Sequence, residues 1–319
     1  MNTLKSVNFN ENKISLYGNL VESDILPTVA KELGRDVSVD GETVVNGAIY
    51  ARNLYVTAGP FSVSGAVFAQ GEIHIKPDAK GRILFKKAVG CTGTIAALIA
   101  GGRATFLGDI SSKKISLRNC FVSGSLMADE IDIEDCVVLG GAFAMNKLSV
   151  RRSVIGTFNA PEVLLAGSVY LTMPSAYSVE SVSALPDLEL WNLTTTDLAA
   201  LYFGKTEKED SGKIRMDPKG DCVEVQLTDS KGNRQTIRSL SVAGKVMMAD
   251  ILEMGELRNH FILKAGALAG HLSKTFRLEE GELQQEKVEN LFFDMLSGTV
   301  NAKVLTKTVG FEELVERYS

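Results

Sequence analysis

Four glycines, Gly108, Gly124, Gly140 and Gly156, stand sixteen residues apart in succession. A fixed period of that kind marks a repeat architecture, in which each unit is one supersecondary element that stacks on its neighbours. The match spreads beyond the glycines. Ala128, Ala144 and Ala160 recur at the same interval, with Ser112 in the equivalent place one unit earlier, and Cys120 with Cys136 follows it too. Aligned on the glycine, the units read KKISLRNCFVSGSLMA from Lys113, DEIDIEDCVVLGGAFA from Asp129 and MNKLSVRRSVIGTFNA from Met145.

Small or apolar residues alternate within each unit: Cys120, Val122, Gly124, Leu126 and Ala128, then Cys136, Val138, Gly140, Ala142 and Ala144. A period of two is the side-chain alternation of a strand. A shorter apolar pair opens each unit, Ile115 with Leu117, Ile131 with Ile133, Leu148 with Val150 and Val163 with Leu165. A rung is therefore expected as a short strand, a bend and a longer strand. Upstream the phrase recurs less evenly, as VVNGAIYA at Gly47, VSGAVFA at Gly65 and CTGTIAA at Gly93, which implies a loop or an extra degenerate rung around 76–87.

One such rung cannot bury its apolar edge alone. Rungs stacked ~4.8 Å apart pair their backbones and share a continuous core, so seven or eight of them make a rod on the order of 35 Å long. The expected fold is mainly β: a single-stranded β-helix, or β-solenoid, with rungs of about sixteen residues over 37–175. Charge supports the register. Lys114, Glu130 and Lys147 fall at one corner of three consecutive units, and Arg118, Glu134 and Arg151 at another, so opposite signs alternate up the stack and disfavour a slipped pairing.

The flanks read differently. Residues 1–36 form a cap segment in which 24–34 (DILPTVAKELG) has an Asp cap, an early proline and a closing glycine, the pattern of a short helix covering the first rung. Residues 176–319 read as a smaller α+β region, with a helix over 196–204 and a hairpin turning at 230–233. Two amphipathic helices follow: one carries Val288, Leu291, Phe292, Met295 and Leu296 and stops at Gly298, the other carries Phe311, Leu314, Val315 and Tyr318. Glu286, Glu289 and Asp294 make the polar face of the first acidic, which favours packing on the protein over binding anionic lipid. SVAGKVMMAD at Ser241 echoes FVSGSLMAD at Phe121, so the chain is expected to return to the solenoid near 237–256.

Nothing in the sequence groups residues for chemistry. The only histidines are His74, His260 and His271, far apart, and Cys91, Cys120, Cys136 and Cys222 form no C-x-x-C pair. Stacked in an apolar interior, Cys120 and Cys136 suit packing and not redox work. The acidic run 129–135 alternates with Ile131 and Ile133, as a solvated strand face does. No catalytic residue, metal or cofactor is expected, and the chain reads as a non-enzyme. A formal net charge of −5 gives no general attraction to nucleic acid. The start, MNTLKSVNFNENKISLYG, has no continuous apolar region, so a cytoplasmic location is the expectation.

At the phrases VVNGAIYARNLYV, VSGSLMADEIDI and VLGGAFAMNKLSV the chain resembles the bactofilins, polymer-forming bacterial cytoskeletal proteins. The resemblance covers 37–171. It implies a right-handed β-helix that polymerises end to end without nucleotide, a second copy of the chain as partner, and scaffolding at a membrane or cell wall. Two features depart from the family: the large 176–319 region, and an N-terminal MNTLKSVNF that does not match the apolar membrane peptide of some members. The expected function is a non-enzymatic, self-associating scaffold. The alternative is an adaptor in which the solenoid is a rigid spacer and the C-terminal region binds another protein.

Overall fold

The computed structural model describes residues 7–9, 13–17, 19–21, 24–25, 34–76, 79, 81–172, 176–177, 181–193, 285–304 and 307–308, together with six strands between 214 and 263. The fold is mainly β. Its body is a parallel β-solenoid with three ladders of strands, one for each side of the coil.

The first ladder is followed through its inward column Ile14, Val37, Leu54, Ile73, Ile95, Ile115, Ile131, Leu148 and Val163, which lie one over the next in parallel register, with Val182 in register on the turn after. The second ladder runs from Asn19–Val21 to Glu189–Asn192, and the third from Ile49–Ala51 to Ala176–Tyr177. Eight complete three-strand turns result, from 36–51 to 162–177, with a partial turn before (13–25) and after (181–192). At ~4.8 Å per turn the complete turns rise about 38 Å.

The rungs are not uniform. The steps from Val37 to Leu54 and from Ile115 to Ile131, Leu148 and Val163 span fifteen to seventeen residues; the other steps of the first ladder run from nineteen to twenty-three. The extra residues sit at corners, where a longer excursion leaves the pairing intact. One lies between Ile73–Ile75 and Arg82–Phe85, in the stretch 76–87 where the uneven spacing implied a loop or an extra degenerate rung; Arg82–Phe85 itself is a regular strand of the second ladder. For the same reason ladder strands occur outside 37–175, at Lys13–Leu16 and Ser181–Ala184.

The expected longer strand is two strands meeting at a corner. Cys120–Val122 belongs to the second ladder and Leu126 to Ala128 to the third, with Gly124 between them. Residues 123–125 turn the corner, and because three residues intervene, the inward alternation continues from Val122 to Leu126.

The core is dry and aliphatic, its inward side chains below 9% exposed along all three ladders. Three aromatic rings rise through successive turns of the second ladder: Phe61 and Phe85 lie edge-on at 5.5 Å between centroids, Phe85 and Phe106 are stacked at 4.8 Å.

Each end of the stack carries one antiparallel strand. Val7–Phe9 pairs with Lys13–Leu16 at the start of the first ladder, and Lys307–Thr308 pairs with Glu189–Asn192 at the end of the second. The hairpin expected around 230–233 is present: Cys222–Thr228 pairs antiparallel with Arg234–Val242, which also pairs with Lys245–Val246. Those pairings place the described part of the SVAGKVMMAD phrase in a sheet separate from the solenoid ladders. The helix Gln285–Leu296 occupies the stretch where helical spacing is read, and Gly298 follows it in the left-handed region at φ 78°. The helices expected at 196–204 and 311–318, and most of that at 24–34, lie outside the described residues. Among the described residues no helix is long and apolar enough to cross a membrane.

Candidate functional site

The glycine series forms a column at the corner between the second and third ladders. A Cβ on Gly156 would lie 2.3 Å from the Gly140 carbonyl oxygen, one on Gly140 2.5 Å from that of Gly124, and one on Gly124 2.7 Å from the Gly108 carbonyl carbon. The backbone of one turn rests directly on the next, and only glycine leaves room. Ala128 lies over Ala144, and Ala160 is fully buried one residue beyond the pairing of Phe143 with Asn159. Cys120 and Cys136 are fully buried on adjacent turns, and burial pushes the Cys120 thiol well up. Such thiols are packing groups.

Lys114 pairs across the ladder with Glu130, and Glu130 with Lys147, as the alternating signs imply. Lys114 Nζ lies 2.9 Å from Glu130, and Lys147 Nζ 2.8 Å from Glu162 on the following turn. Arg118, Glu134 and Arg151 also stack in register. Here the side chains differ from expectation, since Glu134 is held by Arg118 and by Arg152, the latter at 2.6 Å, and Arg151 makes neither contact. Burial pushes the Glu134 carboxyl up, but the two guanidiniums outweigh it and hold the carboxyl below its ordinary value.

Arg152 reaches Glu134 and Asp135 because its backbone is left-handed. It belongs to a second corner column, Asn119 (φ 53°), Asp135 (φ 52°), Arg152 (φ 41°) and Gly167 (φ 64°), between the first and second ladders. The amide of each of the first three donates to a carbonyl of the following turn, Glu134, Arg151 and Ala166. No single residue type repeats there. Asn and Asp tolerate the left-handed region, Gly is free in it, and Arg is the strained member.

The outer face of the second ladder is where the C-terminal region meets the solenoid. Thr105, Phe121, Val137, Val154 and Tyr170 follow one another outward along it, all at most 2% exposed. An uncovered solenoid face would leave such a column in water. The helix Gln285–Leu296 covers it: Leu291, Phe292 and Met295 are buried, and the Phe292 ring meets Phe121 at 6.4 Å between centroids. Twelve residues make a helix of about 18 Å, which matches the ~19 Å of the four turn steps from Thr105 to Tyr170.

Polar contacts fix both ends of this strap. At its start, Arg82 faces Glu286 at 3.6 Å and Glu289 at 3.9 Å, and Thr105 Oγ1 lies 3.3 Å from Glu289. Arg103 donates to Asn290 at 2.9 Å and lies over the Phe293 ring, 3.7 Å from its centroid. Beyond its end, Lys303 pairs with Glu189 and lies 5.5 Å from the Trp191 ring centroid. Glu289, read from the sequence as part of the exposed acidic face, is instead buried against the solenoid at 2% exposure. Helical spacing alone did not reveal this, because Glu289 finds its partners on a rung almost two hundred residues earlier.

His74 is exposed on the outer side of the first ladder, between Tyr55 and Ala96, while His260 and His271 lie outside the described residues. Among the described residues no group of three or more His, Cys, Asp or Glu is placed to hold a metal ion. No protein-family model, curated protein or solved structure matches this chain.

Proposed function

We propose that the chain is a non-enzymatic structural scaffold whose stiff β-solenoid self-associates. The observation that carries this reading is the unbroken stack of eight three-strand turns, each bonded to the next along three sides, which makes a rigid body with fixed spacing between its surface groups. The resemblance to bactofilins belongs with this proposal, and with it a right-handed coil, a cytoskeletal role and a cytoplasmic location with association at a membrane surface. Electron microscopy of the purified protein at varied salt tests it: assemblies built from stacked or aligned rods are expected, and single rods under every condition overturn it.

The closing strands favour a second reading, an adaptor in which the solenoid is a spacer and the C-terminal region binds a protein. A rod extended end to end pairs its last turn with the first turn of the next copy. Here one ladder is closed at each end, the first at the start and the second at the finish. Replacing 194–284 by a flexible linker of equal length, which keeps the solenoid and the helix Gln285–Leu296, separates the readings. Assemblies that persist or lengthen favour the scaffold, and retained single rods with loss of a captured partner favour the adaptor.

A further inference from the structure

Resting on the scaffold reading, we propose that the strap Gln285–Leu296 is exchanged between copies of this chain, so that self-association runs through the outer face of the second ladder and not through the rod's ends. The occupant of that face in the assembled state is the strap of a second copy.

Three observations lead there. The ends are each closed on one ladder by an antiparallel strand, so two of the three ladders of an end-to-end joint already have a partner. The face itself is built to receive a helix: an apolar column through Phe121, Val137 and Val154, with Arg82 at one end facing Glu286 and Glu289 and Arg103 donating to Asn290. Every contact the strap makes with its own solenoid it makes equally with that of another copy, and reciprocal exchange closes as a two-fold dimer with no new interface required.

The chain's layout permits the exchange. The last described solenoid residue is Leu193 and the strap begins at Gln285, so more than ninety residues of chain separate the face from the helix that covers it. A helix of twelve residues is marginal in water alone, which couples its folding to docking on whichever face it meets. Docking within one chain competes as an effective concentration on the order of 1 mM, so exchange is favoured where copies are crowded, as in a scaffold.

Two chains, each with Cys222→Ser and a different tag, test this. One carries Arg103→Cys, the other Asn290→Cys, a pair in hydrogen-bond contact in the docked strap; Cys91, Cys120 and Cys136 are buried. The chains are mixed at protein concentrations up to about 1 mM, treated with a short bis-maleimide and resolved by mass, with light scattering run in parallel. A third chain carrying both substitutions confirms docking by an internal cross-link. Exchange predicts a cross-linked heterodimer whose yield rises severalfold with concentration. Internal cross-links alone, with particle mass still rising, overturn exchange and leave self-association by another route. Single-chain mass at every concentration with no cross-chain product overturns exchange and the scaffold reading together.

Discussion

A glycine and a left-handed corner residue do different work in this coil, and substitutions separate them. Gly140 sits where the backbone of the preceding turn passes within 2.5 Å of a Cβ, whereas a Cβ on Gly101 meets nothing within 4 Å. Gly140→Ala is expected to cost about 1–3 kcal/mol, seen as a lowered melting temperature, while Gly101→Ala stays within ~0.5 kcal/mol. Gly167→Ala combines a φ of 64° with a Cβ 2.7 Å from Arg152 Cγ, and is expected to cost about 1–2 kcal/mol in the same melt. The glycine column was legible in the sequence because one residue type answers one steric demand, turn after turn. The left-handed column was not: Asn119, Asp135, Arg152 and Gly167 meet the same backbone demand with four residue types, so no period shows.

At the scale of the element, ion pairs between rungs set a pH dependence. Arg118 and Arg152 hold the Glu134 carboxyl below the ordinary glutamate value of 4.5 despite its partial burial. A carboxyl depressed in the folded state adds stability that is complete above its unfolded value and is lost as pH falls through its folded one. The melting temperature of the unaltered chain should exceed that of Glu134→Gln at pH 7, and the gap should close as pH falls below 4.5. A gap that is constant with pH excludes the pairs as its source. The strap responds to a different change. Phe292→Ala removes a fully buried ring at the face of Phe121 and is expected to weaken docking by about 3–5 kcal/mol, read as faster proteolysis within 285–304 with the solenoid intact. Helical spacing gave the strap's existence and stop at Gly298. Its seat did not follow from local pattern, since the apolar outer column of Phe121, Val137 and Val154 reads along the chain as one more alternation in a strand.

At the largest scale the described solenoid is a rod whose turns are equal in height although unequal in length along the chain. The sixteen-residue period was readable only over the central turns, because corners absorb extra residues without disturbing the ladders, as between Ile75 and Arg82. What unites the turns is the column and not the count. His74, Ser149 and Ser183 fall in one register column of the first ladder, Ser149 four turns above His74 and Ser183 two turns beyond it. Spin labels on cysteines at these positions, measured by pulsed electron double resonance, test the stack most directly. A stacked coil gives separations of about 19 Å for 74–149 and about 29 Å for 74–183, set by turn number at ~4.8 Å per turn. Separations that ignore turn number, with 74–183 no longer than 74–149, would rule the stacked coil out.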